Sequence, residues 1–248
     1  MQKNNHNNHK KAVILFSGGL DSATILAIAN DMGYNNYLLS FNYSQNHQIE
    51  LDFASKFINK YRNKFNILES KIANIDLSIF NSSSLLNKSI PIEKNRHNII
   101  EEITNKRSLS PSCPSTYVPA RNTIFLSYAF GYAENINAQA IFIGVNAIDY
   151  SGYPDCRPQF INAFNDLVRN ATKNSDMPIK VMAPLLSLSK SEIIKKGLEL
   201  DVDYNLTYSC YDPVIIDSKF VKICEVCDSC IIRENAFKQI NVSDQIFK

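Results

Sequence analysis

Residues 17–22 read Ser17-Gly18-Gly19-Leu20-Asp21-Ser22, and this stretch decides the fold. Before it, Ala12-Val13-Ile14-Leu15-Phe16 has the composition of a buried strand. After it, Ala23 to Ala29 reads as a helix. Strand, glycine-rich turn and helix together make an anion site. The glycines let the backbone approach a ligand with no Cβ in the way, and the free N–H groups at the helix start point at negative charge. Ser17 and Ser22 add hydroxyl donors. Asp21 makes sense in such a turn only if a divalent cation bridges it to phosphates. The spacing is neither G-x-x-x-x-G-K-[ST] nor G-x-G-x-x-G, so neither of those phosphate loops is meant.

Working outward, Tyr37 to Tyr43 reads as a second strand, His47 to Tyr61 as a helix and Phe65 to Ile72 as a third strand. That alternation predicts an α/β fold, a parallel doubly wound sheet with ligands at the carboxyl ends of its strands. Residues 74–118 lack periodicity and are expected to be a long excursion or a lid. A helix over Thr123–Asn135 follows, then a strand over Ala140–Val145, a polar and aromatic loop from Asn146 to Pro158, and a helix opened by Pro158 that runs to Ala171. Ile179–Leu186 reads as a strand, and Ser189-x-x-Glu192 as a capping box for a helix to about Leu200. The expected division is a polar disordered tail over 1–11, an α/β domain over 12–203 and a C-terminal metal-binding region over 204–248.

The chain has 248 residues, 45% of them hydrophobic, and a formal net charge of +2. That near-neutral balance argues against a nucleic-acid partner. No apolar run is long enough to cross a membrane and no apolar leader is visible, so no membrane partner and a cytoplasmic location are expected. In such a compartment clustered cysteines point to metal before disulfides. Of six cysteines, Cys210, Cys224, Cys227 and Cys230 are spaced by thirteen, two and two residues. Four sulfurs favour structural zinc (Zn2+), with an iron–sulfur cluster as the rival. Cys113 and Cys156 remain as ordinary thiols.

Several stretches together resemble the 7-cyano-7-deazaguanine synthase family of queuosine biosynthesis. They are Leu15 to Ser22, Tyr117-Val118-Pro119-Ala120-Arg121-Asn122-Thr123, Gly144 to Ala147, Asp149 to Pro158, Ser209-Cys210-Tyr211 and Cys227-Asp228-Ser229-Cys230. The phosphate loop alone resembles the wider group of N-type ATP pyrophosphatases, or PP-loop enzymes. The family pattern has a basic residue where Asn46 stands, Trp where Tyr208 stands and Gly where Glu225 stands.

The resemblance implies an adenine nucleotide alpha hydrolase-like fold. It also implies an ATP-dependent ligase that converts 7-carboxy-7-deazaguanine and ammonia to the nitrile through adenylated intermediates, with Mg2+, and a homodimer. Under it Phe16, Ser17, Gly18, Gly19, Leu20, Asp21, Ser22, Ala23, Thr24, Ile25 and Leu26 hold ATP, with Asp21 turned toward Mg2+. Lys190 is expected as a second phosphate contact and Arg121 as the partner of a phosphate or of the substrate carboxylate. Asp149 or Asp155 would accept from the N1–H and exocyclic amine of the deazaguanine, with Tyr153 and Arg157 beside it. Two other readings stay open. One is a tRNA sulfur transferase of the same PP-loop group, with Cys113 or Cys156 carrying sulfur. The other is a non-catalytic zinc module for protein contacts. With no base beside either leftover cysteine, nitrogen is expected to come from free ammonia and not from glutamine.

Overall fold

The computed structural model describes residues 10–45, 49–96, 98–99, 113–146, 149–173, 178–215 and 221–247. Five parallel strands form the central sheet: β1 (Lys11–Leu15), β2 (Asn35–Asn42), β3 (Ile67–Asn74), β4 (Ala140–Phe142) and β5 (Lys180–Met182). They lie in the order β3-β2-β1-β4-β5. The order reverses beside β1, so a crevice opens at the carboxyl ends of β1 and β4.

The helices are α1 (Leu20–Asp31), α2 (Ile49–Tyr61), α3 (Arg121–Ile136), the single turn α4 (Asp149–Gly152), α5 (Pro158–Ala171), α6 (Lys190–Glu199) and α7 (Asp228–Gln239). Side chains alternate across a strand, and β1 shows it. Ala12 and Ile14 face one core with Ile25 and Leu26 of α1, Phe57 of α2, Ile193 of α6 and Phe237 of α7. Val13 faces the other core with Leu126 and Ala133 of α3 and Phe164 and Val168 of α5. Helices therefore cover both faces, as the doubly wound expectation requires. No described helix is long and apolar enough to cross a membrane.

Several expected boundaries move. Lys11, placed in the tail, is the first residue of β1, and its Nζ donates to the Ile136 carbonyl at 3.0 Å. Residues 1–9 of that tail, Asn46 and His47, and residues 97 and 100–112 of the excursion lie outside the described residues. The strand expected over Ile179–Leu186 is confined to Lys180–Met182, because Pro184 brings no N–H to a ladder. The capping box forms: the Ser189 hydroxyl accepts from the Glu192 amide, and Glu192 accepts from the Ser189 amide at 2.7 Å. Part of the excursion docks on the C-terminal region. Lys94 bridges to Cys227 as an isolated β-pair, the Asn95 amide donates to the Val226 carbonyl at 2.8 Å, and Arg96 pairs with Asp228.

Candidate active site

The turn after β1 has the predicted geometry. Gly18 has φ +85°, and a Cβ there would stand 2.6 Å from the Glu50 carbonyl oxygen and 2.8 Å from the Ala54 amide, so only glycine fits between the turn and α2. Gly19 caps α1 without any side-chain bond, which leaves amides of its first turn free for a ligand. The Ser22 hydroxyl donates to the Gly19 carbonyl at 2.9 Å, and Ser17 lies 3.3 Å from it.

This turn forms one wall of a cavity of roughly 280 Å³. Phe16, Ser17, Gly19, Leu20, Asp21 and Ser22 line it. The rest of the expected nucleotide stretch does not. Ala23, Thr24, Ile25 and Leu26 are buried in the core, and Thr24 spends its hydroxyl on the Leu20 carbonyl at 2.9 Å and on Tyr204 at 2.8 Å. Only the first turn of a helix presents amides to a ligand; the next faces the sheet. Gly18 shapes the turn from behind, its carbonyl accepting from the Tyr208 amide at 3.0 Å.

Lys190 Nζ reaches both carboxylate oxygens of Asp21, at 2.7 and 2.9 Å. Asn146 donates to Asp149 at 2.7 Å and lies 3.4 Å from Asp21. Burial pushes the Asp149 carboxyl up to about 6, with Asp21 adding to the push and Lys190 opposing it. Burial works against the Lys190 charge, but Asp21 and Asp149 outweigh it and raise its pKa. The cation therefore stays protonated between two carboxyls.

Arg121, at the start of α3, lines the cavity with Tyr153 and Asp149. Its guanidinium lies near the Tyr43 hydroxyl, and its pKa is raised: burial opposes the charge, while Tyr43, Tyr153 and Cys156 hold it. The Tyr153 hydroxyl bonds Thr116 at 2.7 Å. The structure does not bring Asp155 and Arg157 to this cavity. Asp155 is buried and accepts from the Asn122 amide at 2.9 Å, so its carboxylate caps α3, whose own N-cap position is Ala120 in a left-handed conformation. Arg157 is exposed at the start of α5.

Sequence reasoning missed several lining groups. Phe41 stacks on Phe125 at 3.9 Å, and Tyr43 meets Phe125 edge-on at 5.5 Å. Together they make a flat apolar wall. Glu50 and Ser209 line the same space, and a smaller cavity behind Lys190 is lined by Ser209, Ser229 and Arg233. The helical period of 49–61 marks the apolar face of α2 but carries no sign that Glu50 faces a ligand. Ser209 lay within a quoted motif and went unassigned.

The four expected cysteines converge, their sulfurs all within 4.8 Å of one another. Tetrahedral zinc at about 2.3 Å from each sulfur needs sulfurs about 3.8 Å apart, and Cys210 and Cys224 are 3.5 Å apart. The Cys224 amide donates to the Cys210 sulfur and the Cys227 amide to the Cys224 sulfur, both at 3.3 Å. The Tyr208 hydroxyl is buried and makes no hydrogen bond of good geometry among the described residues; burial pushes its pKa up, and the neighbouring Cys210 sulfur adds to the push. An orphaned hydroxyl beside neutral thiols is costly, whereas metal-bound thiolates give it an acceptor. The residues fit a metal ion. Cys156 is buried, its thiol pushed up by burial, and it accepts from Asn122 at 3.2 Å. Cys113 is exposed, and its thiol lies 3.3 Å from the Gly152 carbonyl.

The family model described as "Queuosine biosynthesis protein QueC" matches residues 11–241. The 7-cyano-7-deazaguanine synthase of Rickettsia felis is 48% identical over 237 residues, covering 96% of this chain and 98% of its own. That of Desulfatibacillum aliphaticivorans is 45% identical over 238 residues, 95% of each chain. Among solved structures, the NMN synthetase of Francisella tularensis is similar at a TM-score of 0.45 and 17% identity, covering 97% of this chain and 81% of its own.

Proposed function

The chain belongs to the QueC family of queuosine biosynthesis and is an enzyme making 7-cyano-7-deazaguanine, and we propose that it does so by adenylating 7-carboxy-7-deazaguanine at the cavity beside β1. A carboxylate is inert to ammonia because oxide cannot leave. Its attack on the α-phosphorus of ATP breaks the bond to the β-phosphate and turns that oxygen into part of an AMP leaving group. Ammonia then displaces AMP and gives the amide. A second ATP activates the amide oxygen, and loss of AMP leaves the nitrile.

The observation that carries this reading is the Ser17–Ser22 turn opening on the same cavity as Arg121. The free amides at the start of α1, with Ser17 and Ser22, bind the pyrophosphate as it leaves, which is positioning and electrostatics rather than covalent catalysis. Lys190 adds positive charge where that charge develops. Arg121, a protonated cation on another wall, pairs the substrate carboxylate. The Phe41, Phe125 and Tyr43 wall takes a flat heterocycle. Asp21 and Asp149 would hold Mg2+, which resolves the placing of two carboxyls around one lysine and supplies charge for the β- and γ-phosphates.

Cys210, Cys224, Cys227 and Cys230 would hold Zn2+ in a closed, structural site. A tRNA sulfur transferase loses ground on its own terms. Cys156 is buried and hydrogen-bonded, its thiol held neutral, and burial and Asp155 push the Cys113 thiol up against the opposing charge of Arg157. Free ammonia serves as the nitrogen source. The test is ATP–pyrophosphate exchange: it should depend on 7-carboxy-7-deazaguanine and Mg2+, need no tRNA, and go on to the nitrile with ammonium but not with glutamine. Exchange that needs tRNA would overturn this reading.

A further inference from the structure

We propose that Glu50 is the proton acceptor of the nitrogen steps, taking the protons that ammonia and then the amide nitrogen shed as the nitrile forms. The proposal rests on the reaction assigned above, whose proton balance demands such a group. Ammonia attacks the acyl carbon with its lone pair, the bond to AMP breaks with its electron pair, and the attached ammonium nitrogen releases one proton to become the amide. The amide oxygen then attacks the second ATP and pyrophosphate leaves. The O-adenylated species loses one N–H proton to give an imidate. It loses the last as the carbon–oxygen bond breaks and AMP departs. Nothing is oxidised or reduced; every proton of ammonia must go to a base.

The geometry singles out Glu50. It lies in the first turn of α2, and the close approach of its carbonyl to Gly18 locks that turn against the phosphate loop. It lines the cavity with Ser17, Gly19 and Arg121. The other carboxyls lining that cavity are engaged: Asp21 with Lys190, and Asp149 with Asn146. Glu50 has no hydrogen bond or ion pair within contact distance among the described residues. Among the described residues, the charged and titratable groups that face it are Arg121 from α3 and Tyr43, just after β2. Burial pushes its carboxyl up to about 7, with Arg121 opposing. A base poised there accepts a proton and returns it to solvent through the cavity mouth within each turnover. Glu50 and Arg121 line one cavity and influence each other electrostatically, so a substrate whose carboxylate pairs with Arg121 brings its acyl carbon to the Glu50 side of that space.

The experiment compares E50Q with wild type in two assays on the same preparation. Carboxylate-dependent ATP–pyrophosphate exchange reports adenylation, which moves no nitrogen proton. Nitrile formation, followed with free ammonia held constant, reports the steps that do. Exchange should fall no more than a few-fold in E50Q while nitrile formation falls about a hundredfold or more. The wild-type rate should drop as pH falls through about 7, and E50Q should lack that limb. Equal loss in both assays, nitrile formation near the wild-type rate, or a retained acid limb would each overturn the proposal. Absence of exchange in the wild type would sink the functional reading and this one with it; a normal exchange with an unaffected E50Q sinks this one alone.

Discussion

Asp21 is held by Lys190 at 2.7 Å, so the phosphate loop carries its own counter-charge. Asp21→Asn keeps the shape and removes the charge a divalent cation needs. Exchange at saturating Mg2+ is expected to fall by about a hundredfold or more, with the unfolding midpoint within a few degrees of wild type. Wild-type exchange in this variant would remove Asp21 from the metal. Glu50 and Asp149 make a pH prediction. Burial raises Glu50 from 4.5 to about 7, and raises Asp149 from 3.8 to about 6. A carboxyl whose folded pKa exceeds its unfolded value destabilises the fold when ionised. Each therefore adds stability as pH falls through its folded value, and the gain is complete below its unfolded value. Denaturant midpoints at about pH 8 and about pH 5 should show this contribution, and it should vanish in the E50Q, D149N double variant. An unchanged pH dependence in that variant would refute it.

At the scale of elements, the start of α6 places a functional side chain. Its capping box fixes where the helix begins, and Lys190 is the first helical residue. Ser189→Ala leaves the Glu192 amide without its acceptor, at a cost of about 1 kcal/mol, or about 2–4 °C in Tm. Because Lys190 would fray with the turn, KM for ATP should rise more than the stability loss explains. A Tm shift with unchanged KM would show that the ion pair with Asp21, not the cap, holds Lys190. The turn at Gly18 is equally determined by its neighbours. Gly18→Ala must accommodate positive φ and a contact with backbone atoms of α2, so the phosphate loop or α2 has to move. Exchange activity should fall in that variant even where the fold survives.

Over the whole molecule, the cysteine site and the phosphate loop form one unit. The Tyr208 amide donates to Gly18, its ring meets Phe53 at 4.9 Å, and Cys210 two residues on lines the cavity. One zinc per chain is expected. Its removal by a chelator should weaken binding of a non-hydrolysable ATP analogue before secondary structure is lost. Metal-free protein with unchanged analogue affinity would separate the two sites. Arg233 ties the same segment to the C-terminus through Asp244 at 2.5 Å, and it also donates to the Ser209 hydroxyl at 3.2 Å and to the Tyr204 carbonyl at 3.0 Å. Asp244→Ala would leave that buried cation unpaired, and a loss of about 3–5 kcal/mol is expected in denaturant unfolding.

Local rules were enough for the sheet, the turn and the cysteine site. Strand periodicity, two glycines before an apolar helical run, and short fixed spacings between thiols are set by backbone geometry within a few residues. Ser17–Ser22, the capping box at Ser189, the helix from Pro158 and the four cysteines were therefore legible in order along the chain. Contacts across the fold were not. Whether Asp155 reads a substrate or caps α3 depends on the approach of Asn122, 33 positions away. Lys190 meets Asp21 across 169 positions. The burial that lifts Glu50 comes from packing around the cavity, with Arg121 of α3 acting against it. The types and spacings of residues fixed which chemistry was present. Only the packing of helices on both faces of the sheet decided which carboxyls are engaged and which faces the ligand, because a charge is set by its surroundings and those come from distant parts of the chain.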